Sequence, residues 1–203
     1  MEFENHLFGK DDLALLGLGA GGTYETVVLV GTDDDFQVKP LGLHVTSCGL
    51  FITIFLPSSA FGNTGPGDRM FISIPSYGDV GLLERFLTNT PVDDAILQPF
   101  ERDTLPRLPG LPGLLVEVAA LEEGCISDER GTADVRYLFL KPLHSEVPTV
   151  QWTPVCRAHA QIVEASIAIT RGEQKEAASL LKKASGTVPY SLHETLLLME
   201  NLI

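Results

Sequence analysis

The chain has 203 residues, 44% of them hydrophobic, and a formal net charge of -13. That length suits one large domain or a domain with a smaller appendage, and the hydrophobic share argues against disorder. The acidity argues against nucleic acid or anionic membrane as the main partner, because both are bound through clustered Lys and Arg. The three cysteines, Cys48, Cys125 and Cys156, are odd in number and unrelated in spacing, which suits a reduced, cytoplasmic protein. The opening Met-Glu-Phe-Glu-Asn-His is acidic where a signal peptide is basic. No apolar run approaches the ~20 residues that span a bilayer.

Taken in chain order, residues 1–22 read as a flexible lead-in. Gly17, Gly19 and Gly22 have the GxGxxG spacing, but a strand follows them where a dinucleotide fingerprint needs a helix. Three β-rich runs come next: Tyr24 to Val30, Phe36 to Val45, and Leu50 to Leu56. Short Gly/Asp/Ser clusters separate them, as in a meander. The third run is apolar at nearly every position, which predicts a strand covered on both faces. Arg69 to Ile74 predicts a fourth strand. Val80 to Leu87 predicts a short helix, and the proline-rich residues 88–113 an irregular connection. Leu114 to Leu121 and Val135 to Lys141 are further strands, with Glu122 to Gly131 as the hairpin connection. Six strands suit a small closed or nearly closed barrel.

Pro142 to Pro154 reads as a linker, placing the domain division at 1–145 and 146–203. Beyond it the period changes. Val155, Ala158, Ile162, Ala165 and Ile169 form a helical stripe that ends at Gly172. A second helix runs from Glu173 to Ala184 and stops at Gly186. Ser191-Leu-His-Glu194 has the form of a capping box for a third helix carrying Leu192, Leu196, Met199 and Leu202.

No catalytic constellation stands out. Cys156 and His159 are three apart on one helix, but two ligands do not close a zinc site. Nucleophile elbow, P-loop and HExxH patterns are absent. Arg157, Gln161, Glu164, Ala168 and Arg171 share one face of the first C-terminal helix. That face is either solvated or, with Val163 and Ile167 widening the apolar arc, an internal network pairing Glu164 with the arginines.

Three segments resemble an uncharacterised family of FMN-binding split-barrel proteins with a helical C-terminal extension. These are Tyr24-Glu-Thr-Val-Val28, Lys39-Pro-Leu-Gly-Leu-His44, and the helix from Arg157 to Arg171, where Arg157, Ala158, Glu164, Ala165, Thr170 and Arg171 fall in register. The family is related to flavin reductase-like and pyridoxamine-phosphate-oxidase-like barrels. The resemblance implies mixed β and α structure: a six-stranded split barrel followed by a small helical unit. It further implies a homodimer with FMN in a groove at the dimer interface. Ser58, Ser59 and Asn63 then lie near the phosphate, and Thr26, Pro40, Gly42 and Leu43 line the groove.

The sequence departs from the family pattern after the third strand. Leu56, Ser59 and Ala60 replace a Lys, an Arg and a Thr of that pattern, and Cys156 replaces an Asn. Each lost charge-assisted bond is worth roughly 1.5–3 kcal/mol. Lys39 and Arg69 are candidates to compensate. The resemblance therefore points to an FMN-binding protein and, more finely, to a flavin-dependent oxidoreductase of unspecified substrate. The competing reading is a homodimeric binding or structural protein with a degenerate flavin site. A third reading, an enzyme built on Gly17 to Gly22, has the wrong context.

Overall fold

The computed structural model describes residues 3–9, 11–32, 35–56, 64–79, 97–100, 105–128, 131–150 and 152–201. Nine strands are described: β1 (Phe3–Leu7), β2 (Thr23–Thr32), β3 (Asp35–Thr46), β4 (Gly49–Phe55), β5 (Arg69–Ser73), β6 (Gln98–Pro99), β7 (Pro106–Arg107), β8 (Gly113–Asp128) and β9 (Gly131–Pro148). The helices are α1 (Asp12–Leu15), α2 (Arg157–Thr170), α3 (Gln174–Ser185) and α4 (His193–Glu200).

Six strands close into a ring. Going round, β2 pairs with β3, β3 with β4, β4 with β9, β9 with β8, β8 with β5, and β5 with β2, every pair antiparallel. The six are the strands expected from the β-rich runs. Ring closure removes free edges, as barrels do. The alternation of β4 shows the wall in section. Leu50, Ile52 and Ile54 are buried inside, whereas Phe51 and Thr53 are half-buried outside. The expected cover on both faces is partial: Phe55 is 58% exposed.

Several expectations are corrected. The described residues among the first 22 are not a flexible lead-in, because β1 pairs with the far end of β9 (Phe3↔Pro148, Leu7↔His144). Asp12 on α1 is buried, bonded to the Ser145 hydroxyl and to the Gly9 amide. The glycines that follow permit close packing. A Cβ on Gly17 would lie 2.6 Å from Pro154 and from the Trp152 carbonyl. Pro142 to Pro154 is not a linker throughout, since β9 runs to Pro148. Pro142 is tolerated beside a register shift, where the ladder is already interrupted. Glu122 to Gly131 is mostly strand: β8 and β9 continue as a ribbon to Asp128↔Gly131. Within 88–113, Gln98↔Arg107 and Pro99↔Pro106 form a small sheet. Val80 to Leu87 lies outside the described residues.

The helical unit follows the predicted stripe. Ala158 and Ala165 are fully buried, and Val155, Ile162 and Ile169 pack against the same core. Alanines let α2 approach the barrel closely. Gly172 takes φ of 75° just beyond the helix, a left-handed conformation that glycine adopts freely. Leu181, Ala184, Leu196 and Met199 join the barrel interior in one hydrophobic cluster. α4 begins at His193 after a 3₁₀ turn over Tyr190–Leu192, and its N-cap is Leu192, one position later than the expected Ser191. The internal network on α2 is also absent. Glu164 and Arg171 are exposed, Ala168 is buried, and Arg157 pairs outside the helix.

Two predictions follow from this packing. Gly113 begins β8 with no room for a side chain: a Cβ there would sit 2.5 Å from the Ile72 carbonyl and 2.6 Å from the Phe71 ring. Gly113→Val is expected to cost about 1–3 kcal/mol in chemical denaturation, and Gly65→Ala, into open space, less than about 0.5. Arg171→Met at an exposed position should leave the melting temperature unchanged; a clear drop would restore the internal network.

Candidate functional site

Outward positions of β3 recur at every second residue, which places Pro40, Gly42 and His44 on one face. β2 presents Glu25 beside them, because Glu25 pairs with Gly42. β4 adds Thr53 and Phe55, the β8–β9 ribbon adds Ile126, and the first residue of α2 adds Arg157. Together with Leu41 these groups line a cavity of about 420 Å³. That lies within the range of roughly 300–1,000 Å³ usual for small-molecule sites.

The polar end of the cavity is ordered by one ion pair. Arg157 Nε donates to Glu25 Oε1 at 2.6 Å, and Nη2 to Oε2 at 3.2 Å, a bidentate contact. The guanidinium crosses the strand directly over Gly42. A Cβ there would lie 2.9 Å from Nη2. Glycine at 42 is thus the space through which a helix residue reaches the barrel face.

His44 forms the floor. Its ring stacks on Phe51 with centroids 4.4 Å apart and planes 5° from parallel. Nδ1 lies 3.0 Å from Thr23 Oγ1, and Nε2 3.4 Å from Thr53 Oγ1. Burial, helped by the Arg157 charge, lowers its pKa from 6.5 to about 4, so the imidazole is neutral at pH 7. Phe51 in turn contacts Tyr137 and Phe139, which continues an aromatic surface along the outer wall.

Of the residues expected at the groove, Pro40 and Gly42 line the cavity. Thr26 is buried, its hydroxyl committed to the Leu41 carbonyl at 2.7 Å. Leu43 is fully buried and faces the core. Ser58, Ser59 and Asn63 lie outside the described residues. Lys39 and Arg69 are not among the lining residues. Glu25, His44, Thr53 and Arg157 were not singled out as a site. His44 and Glu25 could have been found from the period-two face they share with Gly42. Cys156, the N-cap of α2, gives no side-chain cap; its Sγ is 4.0 Å from the Thr187 carbonyl, and burial raises its thiol pKa. Among the described residues no group of three metal-ligating side chains occurs, and no helix is long and apolar enough to cross a membrane.

No protein-family model matches the sequence, and no curated protein matches it. Among solved structures, the chain is similar to an FMN-bound protein of Methanosarcina mazei, of a domain family of unknown function. That match has 15% identity and a TM-score of 0.51, and covers 95% of this chain and 100% of that one. A putative flavin reductase of Haemophilus somnus matches 70% of this chain and 88% of its own, with 14% identity and a TM-score of 0.47. The chain thus has the fold of the Methanosarcina protein along nearly its whole length, helical extension included.

The depressed pKa of His44 carries a pH prediction. Between pH 6.5 and about 4 the unfolded chain takes up a proton that folded His44 refuses. This contribution to stability is therefore complete above pH 6.5 and declines as pH falls toward 4. The His44 ring protons followed by NMR should titrate near pH 4, and a midpoint near 6.5 would contradict the half-buried, neutral imidazole.

Proposed function

We propose that this protein is a cytoplasmic, homodimeric split-barrel flavoprotein that binds FMN in the cavity on the outer face of β2, β3 and β4. The observation that carries the reading is the cavity itself, set on a barrel with the fold of an FMN-bound protein. Its residues fit such a group. Pro40, Leu41, Phe55 and Ile126 offer apolar walls to a flat ring system, while His44, Thr53 and Arg157 offer polar contacts at its edge. The space over Gly42 admits a guanidinium but no side chain of its own.

Arg157 is the cation that faces this cavity, and it takes over the part assigned to the Lys and Arg that Leu56 and Ser59 replace. Its partner Glu25 holds the guanidinium extended across the strand and would compete with a phosphate for it. Neutral His44 contributes hydrogen bonding without adding charge. When bound, FMN supplies two-electron redox chemistry, and the protein contributes binding and orientation. The half-covered aromatic surface beside the cavity, with Phe55 58% exposed, suits cover by a second copy. Ser58, Ser59 and Asn63 remain the proposed phosphate-side residues, with Thr26 and Leu43 shaping the strands behind the groove.

The test is an FMN titration of the purified protein followed by flavin fluorescence, with oligomeric state measured alongside. Saturable quenching in a dimer is expected. Arg157→Met should weaken it by about 10- to 100-fold, the scale of one charge-assisted bond. A folded dimer that fails to quench FMN would overturn the reading in favour of a barrel with a degenerate flavin site.

A further inference from the structure

A second cavity lies on the other side of β2. Successive residues of a strand face opposite ways, and while Glu25 lines the first cavity, Tyr24 lines this one. Its volume is about 390 Å³. The segment after α1 forms one wall with Gly17 to Gly19. Trp152 to Pro154 form another, and Pro189 and Leu192 a third. His159, on the first turn of α2, completes the lining. This is the glycine-rich stretch with the GxGxxG spacing, and the proposed flavin site makes no use of it.

Of the polar side chains lining this cavity, Tyr24, Trp152, Thr153 and His159, the first two are committed. The Tyr24 hydroxyl accepts from the Gly19 amide at 2.7 Å and lies 3.3 Å from the Gly19 carbonyl. The Trp152 indole N–H donates to the Ile74 carbonyl at 3.0 Å. His159 is different. Its Nδ1 is 3.0 Å from the Tyr77 hydroxyl, whose proton is directed to the Cys156 carbonyl at 3.4 Å. With the Tyr77 proton assigned to that carbonyl, Nδ1–H donates to Tyr77 and Nε2 is the unprotonated nitrogen. Burial lowers the imidazole pKa and keeps the ring neutral.

A cavity with largely apolar walls and a neutral imidazole acceptor selects by both features. Apolar surface favours a hydrophobic body, and an acceptor without charge favours a single N–H or O–H donor over an anion or an ether. We propose that this cavity is a second small-molecule site, distinct from the flavin groove, that takes a neutral, largely apolar alcohol or phenol whose hydroxyl donates to Nε2 of His159.

Trp152 is the single tryptophan of the chain, so its fluorescence reports on this cavity. The probes are cyclohexanol and methoxycyclohexane, alike in body but only the first a donor, added to the full-length protein. Cyclohexanol is expected to give a saturable change in Trp152 emission, with methoxycyclohexane about five- to tenfold weaker, the scale of one neutral hydrogen bond. His159→Phe should weaken cyclohexanol to the level of the ether, and His159→Gln, which keeps an acceptor, should recover part of the loss. Ala14→Phe, introduced at an exposed lining position, should abolish the response by filling the mouth. Equal responses to the two probes, no saturable response in the folded protein, or a response that survives Ala14→Phe would each overturn the proposal.

Discussion

The structure depends on one strand being hydrogen-bonded along both edges. β9 holds β4 on one side (Leu50↔Leu140 to Phe55↔Val135) and β8 on the other, and its last residues also take β1. A sheet of six strands becomes a barrel only if its two ends meet, and here they meet at the β8–β9 pairing. Register shifts between Leu115 and Val116 and between Val118 and Ala120 bend that pair around the ring. Once the ring is closed, a slip of one residue in any strand would turn its inward side chains to solvent, so all registers are held together.

The second constraint is close approach at the first turn of α2. Tyr24 bridges to Cys156, and the Glu25 amide donates to the Val155 carbonyl at 2.8 Å. The helix start is thereby held to β2 by backbone. Buried Ala158 and Ala165 and the bare Gly42 remove the side chains that would keep the elements apart. Arg157 and His159 then diverge from the same turn into separate cavities. Small residues here decide where charged and aromatic ones can reach.

Much of the barrel was legible because its signals are local. Alternating or continuous β-branched runs mark β2, β3, β4 and β5, and a change to steps of three and four marks α2. What failed was nonlocal. β1 reads Phe-Glu-Asn-His-Leu, a pattern without alternation, and exists because β9 offers it an edge. Pro142 and Pro148 looked like linker residues, yet one sits at a bulge and the other ends the strand. Helical spacing points Arg157 to Glu164, but its partner is Glu25, 132 positions away. Pro40 and Gly42, to which the resemblance points, line the cavity. The neutrality of His44 was not legible, because it arises from burial beneath groups brought by β2 and β4 and from the Arg157 charge.

The pairing of Phe3 with Pro148 has a consequence in time. During synthesis the first strand emerges long before the last, so β1 has no partner until β9 has left the ribosome. The meander of β2, β3 and β4 can form early from neighbouring contacts, but the ring stays open and its two edges unpaired until the late strands arrive. Assembly of this barrel therefore waits for its last strand, and the interval before closure is when its strands are most exposed to pairing with other chains.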